Sequence, residues 1–242
     1  MSHFVLVHGA WHGAWCWEKV VPRLGARGHS VRAIDLPGHG EDPKPPGAVA
    51  WDDYMSRMGE VIEAAPEPPI LVGHSLGGAV ITGAADLWPE RIRALVYLCA
   101  MLPDGPDFMT RFQPTSALTG AMRPSADGSL MELDPAVVRE AFYHDCSDDD
   151  ASLAAARLRP QPAGAFEMRF ELAPARFGRV PRHYVECLQD RAIDIGTQRA
   201  MHAKMPCTVH TLDASHSPFF SMPDRLAEVL GRVARGVDER VG

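Results

Sequence analysis

Short apolar runs alternate with longer stretches of mixed polarity along most of the chain. Six runs are rich in apolar or β-branched residues: Phe4–Val7, Val31–Ile34, Ile70–Val72, Ala94–Cys99, Tyr184–Cys187 and Thr208–Leu212. Near-continuous apolar runs of this length are typical of strands that are buried on both faces. Burial on both faces belongs to parallel sheets that helices cover on either side. The pattern therefore predicts a mostly parallel sheet of about six strands.

Segments of helical length lie between these runs. They are Trp17–Arg27, Trp51–Ala64, Leu76–Trp88, Arg191–Met205 and Asp224–Arg235. Gly28 follows the first segment, Pro89 follows the third and Pro223 precedes the last, which suits helix ends and a helix start. Alternating strands and helices predict a doubly wound α/β fold.

The alternation breaks between about residues 103 and 180. This stretch contains two helix-like segments, Asp134–His144 and Ser147–Arg159, among many prolines and glycines. A helical insertion in an α/β sheet usually covers the carboxyl ends of the strands. We therefore predict a core of residues 1–102 and 181–242, with a helical cap of residues 103–180 inserted after the fourth predicted strand.

Composition and charge exclude several classes of protein. The 242 residues are 46% hydrophobic and 23% charged, which is ordinary for a globular chain. The net charge of −7 has the wrong sign for binding a phosphate backbone, so we expect no nucleic acid partner. No apolar run approaches the ~18 residues of a membrane span, and the N-terminus does not resemble a signal peptide. We expect no membrane association.

The five cysteines are scattered, without a C-x-x-C pair or a Cys/His cluster at zinc spacing. This argues against a disulfide framework and a structural metal, and it indicates a reducing, cytoplasmic setting. The segment Gly38-His39-Gly40 lacks the spacing of a nucleotide-binding loop, and Asp35 before it is best interpreted as a carboxylate that holds the loop. We expect neither a metal nor a cofactor.

The strongest motif is Gly73-His74-Ser75-Leu76-Gly77, directly after a predicted strand and before a predicted helix. This is G-x-S-x-G in the setting of a nucleophile elbow, a turn so tight that side chains at the flanking glycines would collide. Such a turn presents the Ser75 hydroxyl at the N-terminus of the helix. Ser75 is therefore the candidate nucleophile.

A serine nucleophile needs a base and an acid that orients the base. His216 lies in the loop after the last predicted strand, where it can reach Ser75 across the edge of a parallel sheet. For the acid, spacing favours Asp190 after the strand Tyr184–Cys187. Asp104, after the fourth strand, is the rival, and Glu186 inside its strand is less favoured.

The oxyanion hole needs two backbone donors. The amide of Leu76, directly after the nucleophile, is one candidate. The amide of Ala10, in the loop after the first strand, is the other. Two histidines of that loop, His8 and His12, suit a structural role in which they hold the turn by hydrogen bonds.

Three segments carry a resemblance to a known family. They are Phe4–Trp17, with His8-Gly9-Ala10-Trp11-His12-Gly13 inside it, then Gly28–Val31, then Gly73–Gly78. They resemble the methylesterase and hydroxynitrile lyase branch of the α/β-hydrolases, and bacterial carboxylesterases, including pyrethroid hydrolases, are similar. The resemblance is dense over residues 3–104, returns over residues 184–231 and fades in the cap.

The resemblance implies a triad of Ser75, Asp190 and His216, with oxyanion amides at Ala10 and Leu76. The family's lyases carry a threonine in the oxyanion loop and a lysine directly after the catalytic histidine. Here those positions are Gly9 and Ser217, which favours an esterase. A lyase or C–C bond cleaving enzyme on the same triad is the alternative, and a ligand-binding receptor of the same fold is a further one.

The expected substrate is a small or medium hydrophobic ester, hydrolysed through an acyl-enzyme. Eight residues are candidates for its pocket, although core packing is an equal alternative for each of the six in the cap: Gly9, Trp11, Phe108, Phe112, Leu118, Met122, Phe142 and Phe166. Members of the family are often dimers, so the resemblance allows a homodimer. Which ester and which enantiomer are bound is left open by the sequence.

Overall fold

The computed structural model describes residues 1–113, 115, 118 and 120–238. The elements in chain order are β1 (His3–Val7), α1 (Val21–Gly25), β2 (Ser30–Ile34), α2 (Trp51–Glu63), β3 (Ile70–His74), α3 (Gly77–Leu87), β4 (Ala94–Leu98), α4 (Phe108–Arg111), β5 (Met122–Pro124), β6 (Leu130–Leu133), α5 (Pro135–Phe142), α6 (Asp148–Arg157), β7 (Gln161–Pro162), β8 (Arg182–Cys187), α7 (Ile195–Lys204), β9 (Thr208–Leu212), α8 (Pro218–Ser221) and α9 (Pro223–Asp238).

The main sheet has six strands in the order β2-β1-β3-β4-β8-β9, and every neighbouring pair is parallel. Every residue of the central strands β1, β3 and β4 is buried, as their continuous apolar runs predict. The edge strand β2 alternates exposed and half-buried residues before it ends at buried Ile34. The predicted fold class and all six predicted strands are confirmed.

Two predicted helices are shorter than their patterns suggested. Instead of one helix over Trp17–Arg27, residues 14–17 form a 3₁₀ turn that buries Trp17, and α1 begins only at Val21 with Pro22 in its first turn. Proline is accepted in a first turn but not in a helix interior, which explains the interruption. The helix predicted from Arg191 begins at Ile195, because Asp194 caps it through the amide of Thr197 at 3.0 Å.

The segment predicted as the cap, residues 103–180, lies between β4 and β8 along the chain, and it is not purely helical. It contains the two predicted helices, as α5 and α6, but also an antiparallel sheet in the order β5-β6-β7 that we did not predict. These strands have only two to four residues, too few to show a periodic pattern. Among the described residues, no helix is both long and apolar enough to cross a membrane.

Candidate active site

Ser75 stands on a strained turn between β3 and α3, with a backbone φ of 52°. A Cβ at Gly73 would lie 2.4 Å from the carbonyl oxygen of Gly77, and a Cβ at Gly77 would lie 2.7 Å from that of Val7. Both glycines are therefore required by backbone contacts, as the motif predicted. The turn directs the Ser75 side chain into the largely apolar cavity described below.

His216 and Asp190 form a buried pair beside this turn. Nδ1 of His216 lies 2.7 Å from Oδ2 of Asp190, and both residues are at most 5% exposed. The other carboxylate oxygen accepts the amides of Ala192 at 2.7 Å and Ile193 at 2.9 Å. Because the carboxylate only accepts, Nδ1 carries the proton, which leaves Nε2 of His216 as a base. His216 lines the same cavity as Ser75.

Gln198, on α7, supports the acid and was not predicted. Its side chain is fully buried and donates to Oδ2 of Asp190 at 3.2 Å and to the carbonyl of Ile193 at 2.6 Å. Its carbonyl accepts the amide of Cys187 at 3.1 Å. The Gln198 side chain thus links Asp190 to Cys187, the last residue of β8, by hydrogen bonds. A glutamine in a helix carries no sequence signal for this role.

His74 supports the base. Its Nε2 donates to the backbone carbonyl of His216 at 2.8 Å, and the Cys99 thiol donates to the same oxygen at 3.4 Å. Burial holds the pKa of His74 well below its ordinary value, so the ring stays neutral. The ligand atoms of His74, Cys99 and His216 lie within 4.8 Å of one another, as at a metal site. Because two of the three already donate to one carbonyl, we interpret the group as a support for His216.

The loop after β1, residues 8–13, presents the second candidate oxyanion donor, and we call it the oxyanion loop. Ala10 and Leu76 both line the cavity, and neither of their amides donates a hydrogen bond to a described group of the chain. His8 and His12 hold the loop: Nδ1 of His8 donates to the carbonyl of Gly9, and Nδ1 of His12 to that of Ala10, both at 2.8 Å. Burial lowers the pKa of each to about 3.

Trp11 of this loop has a φ of 63°, a strained value for a residue with a side chain. Two residues of the cap hold it there. Its amide donates to Oε1 of Gln161 at 3.3 Å, and its indole donates to the carbonyl of Met131 at 3.0 Å. The cap therefore contributes to the shape of the oxyanion loop.

The rival acids have other partners. Asp104 pairs with Arg111 at 2.5 Å and with Lys204 at 3.7 Å. Glu186 pairs with Arg199 at 3.0 Å. Asp35 accepts the amides of Ala14 at 2.6 Å and Glu41 at 3.1 Å, which is the loop-holding role expected for it.

The cavity above Ser75 has a volume of about 300 Å³. Six of the eight predicted pocket residues line it: Trp11, Phe112, Leu118, Met122, Phe142 and Phe166. Gly9 does not, because it packs behind Ser75, and neither does Phe108, whose ring packs against Phe112 and faces a neighbouring groove. Further lining residues that we did not predict are Met101, Met109, Met131, Ala192, Ile193 and His12.

A family model described as "Alpha/beta hydrolase family" matches residues 4–229 of the chain. The putative chloroplastic methylesterase 11 of Arabidopsis thaliana is 34% identical over 97% of this chain, which spans 64% of that protein's length. An alpha-hydroxynitrile lyase of the same plant is 34% identical over 96% of both chains. The crystal structure of a pyrethroid hydrolase from Sphingobium faniae is similar with a TM-score of 0.87 and 31% identity, covering 98% of this chain and 99% of that one.

Proposed function

The chain belongs to the alpha/beta hydrolase family, as a carboxylesterase-type enzyme, and we propose that it hydrolyses carboxylic esters. We assign Ser75 as the nucleophile, His216 as the base and Asp190 as the acid that orients the base. One observation carries the proposal. The buried His216–Asp190 pair, at 2.7 Å, shares a cavity with the serine of the strained turn. The methylesterase and pyrethroid hydrolase relatives support ester chemistry on this fold.

The first half of the reaction forms an acyl-enzyme. Nε2 of His216 takes the Ser75 proton as Oγ attacks the ester carbonyl carbon. The amides of Ala10 and Leu76 donate to the developing oxyanion, a contribution of about 3–4 kcal/mol for each donor of this kind. Asp190 stabilises the imidazolium through Nδ1. The imidazolium then protonates the departing alkoxide, and the alcohol leaves.

The second half releases the acid. Water enters where the alcohol left, and His216 removes its proton as the water oxygen attacks the acyl carbon. The same two amides hold the second oxyanion. Its collapse returns the proton from His216 to Ser75 and frees the carboxylic acid. Asp190 orients the ring and stabilises the imidazolium in both halves of the reaction.

The substrate class follows from the cavity wall. None of the described residues that line the cavity is Lys, Arg, Asp or Glu, and its polar side chains are those of Ser75, His12 and His216. A charged acyl or alcohol group would lose its hydration there without gaining a partner. We therefore propose a neutral, small or medium hydrophobic ester. We assign residues 103–180 as the cap that selects it and residues 1–102 and 181–242 as the catalytic core.

The relative that is named a hydroxynitrile lyase makes cyanohydrin cleavage the second candidate. A cation stabilises departing cyanide, and the resemblance implies that the family's lyases supply one with a lysine directly after the histidine. Here that residue is Ser217, which is fully buried. A threonine at position 9 would also crowd Ser75, because even a Cβ there lies 2.7 Å from the Ser75 Cβ. Both positions favour the esterase.

The proposal is tested with p-nitrophenyl esters of increasing acyl length and with mandelonitrile, for the wild type and Ser75→Ala. We expect ester turnover with an optimum at a short or medium chain, a loss of at least ~10³-fold in the variant and no cyanide release. Cyanide release that depends on Ser75, without ester turnover, would establish the lyase. Equal rates in both proteins would refute the assigned nucleophile.

A further inference from the structure

Three consecutive residues of the cap, Tyr143, His144 and Asp145, contact three different loops of the candidate active site. We call them the cap turn; they follow α5 directly. The loops are the oxyanion loop, the acid loop (residues 188–194, around Asp190) and the base loop (residues 213–217, around His216). One short turn therefore contacts every loop that presents a catalytic group, apart from the nucleophile turn itself.

The first two contacts reach the oxyanion and acid loops. The Tyr143 hydroxyl lies 2.6 Å from Nε2 of His12. Because Nδ1 of His12 donates to the carbonyl of Ala10, Nε2 is the acceptor and the tyrosine donates. Nε2 of His144 donates to the backbone carbonyl of Gln189 at 2.9 Å, next to Asp190.

The third contact is the most specific. Both oxygens of the Asp145 carboxylate accept from Ser215: Oδ2 accepts its amide at 2.8 Å, and Oδ1 accepts its hydroxyl. Ser215 directly precedes His216, and its Oγ accepts the amide of Ser217 at 3.4 Å. A bidentate acceptor fixes both the backbone and the side chain of the residue before the base. An aspartate satisfies both donors of Ser215, whereas an alanine at position 145 would remove both contacts.

A tilted ring contact adds to the hydrogen bonds of Asp145. The ring of Phe142, the last residue of α5, lies 5.5 Å from the His216 ring at an interplanar angle of 32°. Asp145 and Phe142 belong to one segment of the cap, and both contact the base loop. They restrict the direction in which His216 can turn away from Asp190.

We propose that Asp145 is a positioning residue of the cap, which holds the base loop so that His216 stays aligned with Asp190 and Ser75. The inference rests on the proposed function for its kinetic consequence. Its structural part, the alignment of the His216–Asp190 pair, does not depend on which substrate is turned over. Asp145 itself touches neither the substrate nor the reacting atoms.

The test compares Asp145→Ala, Ser215→Ala and the double variant with Asp149→Ala. The control changes an exposed acid of the same cap, in the first turn of α6. Four quantities are measured well below each melting temperature: kcat and KM for the best p-nitrophenyl ester, the rate at which a fluorophosphonate labels Ser75, and the far-downfield proton NMR resonance of the His216–Asp190 hydrogen bond. The last two need no ester substrate.

We expect Asp145→Ala to lower kcat and the labelling rate at least about tenfold, with KM within about twofold, and to broaden or shift the downfield resonance. Ser215→Ala removes the hydroxyl contact but keeps the backbone amide, so it should lose less activity than Asp145→Ala. The double variant should match Asp145→Ala to within about twofold. The Asp149→Ala control should match the wild type.

Two results would overturn the inference. One is a folded Asp145→Ala protein with wild-type labelling rate and an unchanged resonance. The other is additive losses in the double variant, which would show that the Ser215 hydroxyl contributes without Asp145, contrary to the contact that carries the inference. A wild-type protein that shows the resonance but neither hydrolyses esters nor reacts with the fluorophosphonate would refute the proposed function instead, and the resonance of the variants would still decide the role of Asp145.

Discussion

Replacing Gly9 with alanine probes how closely the oxyanion loop approaches the nucleophile turn. The new methyl would lie 2.7 Å from the Ser75 Cβ and 2.9 Å from Nδ1 of His74. Carbon atoms in favourable contact are about 3.5–4.0 Å apart, so the methyl is too close by about 1 Å. Neither neighbour can yield easily: Ser75 is held by its strained turn, and His74 is buried and bonded to the His216 carbonyl.

The magnitude follows from the displacement that is needed. Overpacking of this kind costs about 1–3 kcal/mol of stability. If the loop moves instead, the amide of Ala10 moves relative to Ser75, and a misplacement of ~1 Å costs about 10²-fold in rate. We therefore expect Gly9→Ala to lower kcat/KM by about 10²-fold and to lower the melting temperature by several degrees.

The assay is kcat/KM on the best p-nitrophenyl ester together with thermal unfolding followed by circular dichroism. Gly25→Ala is the matched control, because Gly25 lies in α1 and a Cβ there would meet no atom within 4 Å. This control should keep its activity and be slightly stabilised, since alanine favours a helix over glycine. A Gly9→Ala enzyme with activity within threefold of wild type and an unchanged melting temperature would refute the reasoning.

Three further predictions concern the supports of the site. Gln198→Leu leaves the amide of Cys187 without its acceptor and removes a donor from Asp190. The free energy of unfolding in urea titrations should therefore fall by about 1–3 kcal/mol, and kcat should fall about tenfold. Unchanged values would contradict the supporting role of Gln198. Asp190→Asn should lower kcat about 10³–10⁴-fold, whereas Asp104→Asn should stay within about twofold, and the reverse order would move the acid to Asp104. His8 and His12 have folded pKa values of about 3, below an unfolded value of about 6.5. The free energy of unfolding is therefore unaffected by these two histidines above pH 6.5. It should fall as the pH drops from 6.5 towards 3, by up to about 1.4 kcal/mol per pH unit for each histidine. A free energy of unfolding that stays constant between pH 7 and 4.5 would contradict this prediction.

The main sheet was predictable because its signal is local. Fully buried strands such as Ile70–His74 appear in the sequence as apolar runs. Gly73, in the motif that follows, is required by backbone contacts with Gly77 and Gly78, only four and five residues away. The sheet of the cap was not predictable in this way. Its strand Gln161–Pro162 pairs with Leu130 and Met131, about thirty residues earlier, and no periodic pattern marks so short a strand.

The candidate catalytic residues were predictable for the same reason, since each follows a recognisable strand. Their supports were not. Asp145 and Ser215 are 70 residues apart and are ordinary residue types in ordinary positions. The role of His74 depends on which ring nitrogen faces the His216 carbonyl, and only the folded arrangement shows this. The error at Phe108 has a similar origin, because its aromatic character suits both the cavity wall and the packing against Phe112 that the structure shows.

The central claim is that the reaction passes through an ester of Ser75. The most direct measurement is peptide mass spectrometry after rapid acid quenching of the enzyme with its best p-nitrophenyl ester, in the wild type and in Ser75→Ala. We predict a peptide containing Ser75 that is heavier by one acyl group, together with a burst of p-nitrophenol equal to the enzyme concentration, and neither in the variant. Turnover with no acyl group on Ser75, or with the acyl group on another residue, would contradict the account.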